Sequence, residues 1–132
     1  MTADKKIKDY ILKGIEEETV NGKVDSFWAD LRSTGTTLWL DTGDIDEALQ
    51  VWSGEMEALT TNNTLINKVI QKGIYDDFIP RTQEILDSMP RDKKIMETAF
   101  ILNARHGLRL TRKFGGYVSV ELHTSTAHDI DA

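Results

Sequence analysis

A hydrophobic extended stretch that stops on a polar tip and passes into a helix occurs twice in this sequence, and that repetition limits what the chain can fold into more than any other feature. Thr36-Thr37-Leu38-Trp39-Leu40-Asp41 has strand composition, and the cluster Asp41-Thr42-Gly43-Asp44 stops it. Thr42 or Asp44 then suits the cap of a helix over Ile45 to Trp52, whose apolar positions are Ile45, Ala48, Leu49 and Trp52. Gly54 turns the chain back. A second strand, from about Ala58 to Thr61, passes through Asn62-Asn63-Thr64 into a helix carrying Leu65, Ile66, Val69 and Ile70. Helices between hydrophobic strands read as parallel crossovers, because antiparallel neighbours need only a short turn.

The rest of the chain extends that order. Residues 1–34 read as a helical preface. Ile7, Tyr10, Ile11 and Ile15 predict a surface helix over the first eighteen residues, ended by Asn21-Gly22, and Val24, Phe27, Trp28 and Leu31 mark a second short one that closes at Gly35. After the second crossover, residues 75 to 89 have helical spacing with Pro80 in the first turn, and Pro90 stops them. A long helix from about Asp92 to Lys113 carries Arg109, Arg112 and Lys113 near its C-terminal dipole, and Gly115-Gly116 breaks it before a third strand, Tyr117 to Leu122. No linker divides the chain, so residues 1–132 are expected to form one domain of α/β class with three parallel strands.

Composition removes several classes of function. The 132 residues are 39% hydrophobic and 29% charged, which suits a single folded core. Sixteen Lys and Arg against twenty-two Asp and Glu leave a net charge of -6, so a nucleic-acid backbone meets repulsion, and no basic patch offsets it. Cysteine is absent, which removes disulfides, thiolate nucleophiles and cysteine-based metal sites. MTADKKIKDY has no apolar run behind its lysines, so neither a signal peptide nor a membrane span is expected, and a cytoplasmic location follows as the default.

Alternation along the strands sorts the side chains. Leu38 and Leu40, Leu59 and Thr61, and Val118, Val120 and Leu122 go to one face, where crossover helices would cover them. The opposite face ends in Asp41, Asn62 and Glu121. Parallel strands bring such tips to one edge of a sheet, where α/β proteins assemble active sites. Two carboxylates and an amide there can transfer protons and hydrogen-bond a hydroxylated substrate.

The stretches Gly35-Thr36-Thr37-Leu38-Trp39-Leu40-Asp41-Thr42-Gly43-Asp44, Ala58-Leu59-Thr60-Thr61-Asn62-Asn63-Thr64-Leu65-Ile66 and Val118-Ser119-Val120-Glu121 resemble the transaldolase family, over roughly residues 31 to 122. The resemblance implies a TIM-type (β/α)8 barrel that moves a dihydroxyacetone unit between sugar phosphates through a lysine Schiff base, with no cofactor. Asp41 matches the first-strand acid that handles the proton on the C4 hydroxyl. Asn62 matches the asparagine that hydrogen-bonds the bound three-carbon fragment, and Glu121 matches the glutamate that orients or activates water.

The sequence departs from the family in two places. Asn63 stands where the family usually has proline, which loosens the backbone that aims Asn62. The family's Schiff-base lysine lies on a fourth strand, which this stretch of sequence does not reach. Lys68, Lys72, Lys93, Lys94 and Lys113 fall on or beside helices and read as solvated charges rather than as amines with a lowered pKa. A barrel of this type takes about 250 residues, so the sequence reads as the opening portion of a longer enzyme, an incomplete barrel inactive by itself. The competing reading is a noncatalytic α/β interaction module that self-associates or binds a partner through the open edge of the third strand.

Other signals carry less. His123, His128 and Asp129 contain metal-ligand types in a tail that fixes no geometry, so no metal site is expected. His106 reads as a partly buried or interfacial side chain. Trp28, Trp39 and Trp52 read as core residues.

Overall fold

The computed structural model describes residues 3–128. The chain runs α1 (Ala3–Leu12), α2 (Ser26–Ser33), β1 (Leu38–Asp41), α3 (Ile45–Val51), β2 (Met56–Thr60), α4 (Asn63–Gln71), α5 (Ile79–Ile85), α6 (Arg91–Phe114) and β3 (Tyr117–Ser119), then a 3-10 turn at Thr124–Thr126. The strands form one sheet in the order β1-β2-β3, and both pairings are parallel.

Register sorts the side chains as alternation requires. Leu40 lies opposite Leu59, and Leu59 opposite Val118. This row packs with Ala48 and Trp52 from the α3 side and Leu110 and Phe114 from α6 to form the core. Trp39, Ala58 and Tyr117 make the next row, and Asp41, Thr60 and Ser119 the row after the Leu40 row. Both of these point away from the helices. Trp39 is therefore 63% exposed and Tyr117 83% exposed. The expectation of a core role holds for Trp52, which is buried, and fails for Trp39, because nothing among the described residues covers that face of the sheet.

Side-chain caps start the crossover helices. The carboxylate of Asp44 accepts the Asp46 and Glu47 amides at 2.9 and 3.2 Å, and Asn62 Oδ1 accepts the Leu65 amide at 2.9 Å. Gly115 ends α6 with a φ of 68°, a left-handed conformation that glycine adopts without a Cβ clash.

Two elements are shorter than their sequence pattern. α1 stops at Leu12 rather than near residue 18, because Gly14 takes a φ of 66° and the run Glu16 to Glu18 would place carboxylates against the negative end of the helix dipole. That segment instead closes the C-terminal end of α6. The Thr19 hydroxyl donates to the Arg112 carbonyl at 2.9 Å and the Val20 amide to the Lys113 carbonyl at 2.7 Å, filling acceptors the helix leaves open. β3 ends at Ser119 rather than Leu122. Its last ladder bond runs from the Thr61 amide to the Ser119 carbonyl at 3.2 Å, after which Asn62 turns away to cap α4 and residues 120–122 lose their neighbour.

The preface covers the outer helices. Tyr10 stacks on Phe78 with ring centroids 4.1 Å apart and donates its hydroxyl to the Phe78 carbonyl at 2.9 Å. Arg105 lies over the other partner of that stack, 4.5 Å from the Phe78 centroid, and donates to the carbonyls of Ile11 and Lys13 at 2.7 and 2.8 Å. α2 is fastened through the buried carboxylate of Glu55, which accepts the Asp25 amide at 3.3 Å and the Ser53 hydroxyl.

Candidate active site at the strand ends

Parallel pairing sends the C-terminal ends of all three strands to one edge of the sheet. Asp41 is the last residue of β1, is exposed, and accepts a hydrogen bond from the Thr60 hydroxyl at 2.9 Å. That bond holds one carboxylate oxygen and leaves the other free for proton transfer. Asn62 follows β2, half-buried. Its oxygen is committed to the α4 cap, so the amide nitrogen with its two donors is the part left to meet a ligand.

Glu121 lies at the same edge but not on a strand. It stands two residues past β3, exposed, and is tied through its backbone: Asn103 Nδ2 donates to the Glu121 carbonyl at 3.4 Å and to Asn63 Oδ1 at 3.3 Å. The structure thus sets Asp41 and Asn62 at adjacent strand ends by ladder and cap, whereas the carboxylate of Glu121 is not aimed by a ladder. The Asn103 bridge also takes over a task at position 63. A proline there would stiffen the first turn of α4 by its ring, and Asn63 is instead held by its side chain.

Below these tips lies a buried polar chain that sequence reasoning underrated. His106 is fully buried rather than partly so. Its Nε2 stands 2.5 Å from the Gly43 carbonyl and its Nδ1 2.7 Å from the Tyr75 hydroxyl. A carbonyl only accepts, so Nε2 carries the proton, and Nδ1 accepts from the Tyr75 O–H. Burial pushes the imidazole pKa down and the Tyr75 phenol up, so both are held neutral. Gly43 lies in the turn between β1 and α3, two residues after Asp41, so α6 holds that turn from behind. The spacing of Leu102, His106 and Leu110 already marked a buried helical face. Thr60 was legible too, since it shares parity with Asn62.

The lysines do not stand where an imine would form. No lysine occurs on β1, β2 or β3. Lys72 donates to the carboxylate of Asp44, which raises the lysine pKa and lowers the aspartate one, the reverse of what a neutral nucleophilic amine requires. Lys94 pairs with Asp87 at 3.2 Å and Lys113 with Glu16 at 3.5 Å.

Among the described residues no three His, Asp or Glu side chains cluster as metal ligands. His123 is exposed and uses Nδ1 to accept the Ser125 amide at 3.1 Å, His128 is exposed, and Asp129 lies outside the described residues. No described helix is long and apolar enough to cross a membrane.

An open sheet of parallel strands, helices on one face and polar tips at its C-terminal edge, is part of an α/β barrel. A family profile described as transaldolase/fructose-6-phosphate aldolase matches residues 38–132. The chain belongs to that family. No curated protein matches the sequence.

Proposed function

We propose that this chain supplies the proton-handling side of a transaldolase-type barrel acting on sugar phosphates, with the Schiff-base lysine on a strand outside these 132 residues. In this reading Asp41 moves the proton of the C4 hydroxyl during carbon–carbon cleavage, Asn62 donates its amide to the three-carbon fragment, and Glu121 orients the water that forms and hydrolyses the imine. The observation that carries it is the register: Asp41 opposite Thr60 on the uncovered face of the sheet, with the Asn62 cap one step beyond. Glu121 gains its aim when a further strand pairs with the edge of β3 and extends the ladder past Ser119. The reading carries with it a single folding unit over residues 1–132 and a cytoplasmic location.

Complementation tests the assignment. The 132-residue chain, mixed with a polypeptide carrying the later strands of a transaldolase-type barrel, is expected to release and transfer the three-carbon unit from fructose 6-phosphate. Asp41→Asn should lower kcat about 100-fold or more, the usual weight of a positioned proton-transfer group, and Glu121→Gln should slow imine turnover. Undiminished rates in both variants would remove the roles of the two carboxylates.

A second reading has its own observation. Trp39 and Tyr117 are large and exposed on one face, and the outer edge of β3 is unpaired among the described residues. A noncatalytic module that self-associates through this edge would sediment as a discrete oligomer dispersed by Tyr117→Lys or Ser119→Lys, both at exposed positions of β3.

A further inference from the structure

On the face of α6 that meets the preface, Arg105 and Arg109 have no carboxylate within 4.0 Å among the described residues. Arg105 and Arg109 stand one helical turn apart on the same side, both half-buried, in a cavity of about 460 Å³ between the Lys13-Gly14 turn and the Ile74 to Phe78 segment. Arg105 spends its donors on the carbonyls of Ile11 and Lys13. Arg109 has less to hold. Its one described partner is the neutral Tyr75 hydroxyl at 3.4 Å, with the ring of Tyr75 5.7 Å from the guanidinium.

Among the described residues no carboxylate comes within 4.0 Å of Arg105, Arg109 or Lys13. Two acids line the rim: Glu16, which is engaged by Lys113 at 3.5 Å, and Asp77, which is exposed. In a chain with a net charge of -6, three cations gathered without a partner are an arrangement that folding alone does not favour. Like charges one turn apart repel, and partial burial weakens the solvent screening that would relieve them. An anion seated between them restores the balance. The planar guanidinium of Arg109, the Arg105 nitrogens not bonded to Ile11 and Lys13, and the Lys13 ammonium match the several oxygens and double charge of a phosphate group better than they match a halide.

We propose that this cleft binds phosphate, either free or as the terminal group of a small ester, at a site separate from the strand-end residues. The chain path separates them: α6 passes the strand tips at its middle, where Asn103 meets Glu121, and Arg109 lies six residues further on, about 9 Å of helix nearer the end that leads into β3.

The test titrates inorganic phosphate into the 132-residue chain at constant ionic strength and follows backbone amide and arginine side-chain resonances by NMR. Saturable shifts at Lys13, Gly14, Tyr75, Arg105 and Arg109, with a Kd on the order of 1 mM, are expected. Arg109→Gln should weaken binding about tenfold or more. Glycerol phosphate binding more tightly than inorganic phosphate would identify an ester as the ligand, and equal affinities would identify the free ion. Shifts that never saturate, that sodium chloride reproduces, or that persist unchanged in Arg109→Gln overturn the proposal. Should Arg109→Gln lose its circular dichroism signal, Lys13→Gln decides, because Lys13 is exposed and makes no described side-chain bond. A several-fold loss of affinity supports the site, and an unchanged affinity refutes it.

Discussion

Replacing His106 by phenylalanine keeps a ring in a site with no solvent exposure and removes both of its hydrogen bonds. Two buried partners are then orphaned, the Gly43 carbonyl and the Tyr75 hydroxyl. Each lost bond is worth roughly 1 kcal/mol net, and each stranded polar group costs about 1–3 kcal/mol, so partial relaxation leaves about 2–4 kcal/mol. That is a large share of the roughly 5–15 kcal/mol that holds an ordinary domain together. Tyr75→Phe removes one hydroxyl and strands the buried Nδ1 acceptor, while the half-buried Arg109 that donated to that hydroxyl at 3.4 Å can turn to water, for about 1–2 kcal/mol. In the double variant the tyrosine hydroxyl is no longer present to be stranded, so its cost should fall short of the sum by about 1 kcal/mol. Urea unfolding followed by circular dichroism, with an unchanged m-value, measures all three. A loss below about 0.5 kcal/mol for His106→Phe, or strict additivity in the double variant, would refute the tautomer and the chain of bonds drawn from it.

Three further outcomes follow from the packing and the titrating groups. Acid should weaken the fold in two stages. The folded His106 pKa lies below its unfolded value, so its contribution is complete above about pH 6.5 and is lost as pH falls through the depressed value; Asp44, lowered by Lys72, adds a second loss below about pH 4. Urea midpoints from pH 7 to 3 should lose the first stage in His106→Gln and the second in Asp44→Asn. Gly107→Ala would place a methyl 2.6 Å from Val120 Cγ2, for about 1–3 kcal/mol, and Val120→Ala in the same chain should recover most of it in the same assay. Tyr10→Ala removes the Phe78 stack and a hydrogen bond, together about 2 kcal/mol, so hydrogen exchange should accelerate throughout α1 while β1 and β2 stay protected; equal acceleration in α1 and the strands would contradict the view that the preface is an outer cover.

What was legible in the sequence was whatever rests on short-range pattern. Period-two alternation around Leu40 and Leu59 settled which strand face is buried, and the Asp44 and Asn62 caps follow from polar residues placed just before apolar helical spacing. The position of the candidate site residues was legible to the extent that parity determined it: Asp41 and Asn62 lie at the strand ends where alternation put them. What escaped depended on partners distant in the chain. β3 stops at Ser119 because its neighbour turns away at Asn62, which no local pattern in Tyr117 to Leu122 encodes. Trp39 is exposed because the face it lies on is uncovered, although its composition suits a core. The end of α1 was a local error, since Gly14 offered a helix stop earlier than Asn21-Gly22 did. His106 and Asn103 were polar interruptions in an otherwise apolar helical face, a pattern that marks burial but does not reveal which carbonyl or amide lies across from it.

Borohydride reduction in the presence of fructose 6-phosphate, read out by intact mass, bears most directly on the proposed division of labour between the strand-end acids and a lysine outside these residues. The 132-residue chain alone should gain no mass, and when later barrel strands are supplied the trapped three-carbon unit should be on their lysine. A covalent adduct on Lys72, or on any other lysine of this chain, would contradict the account.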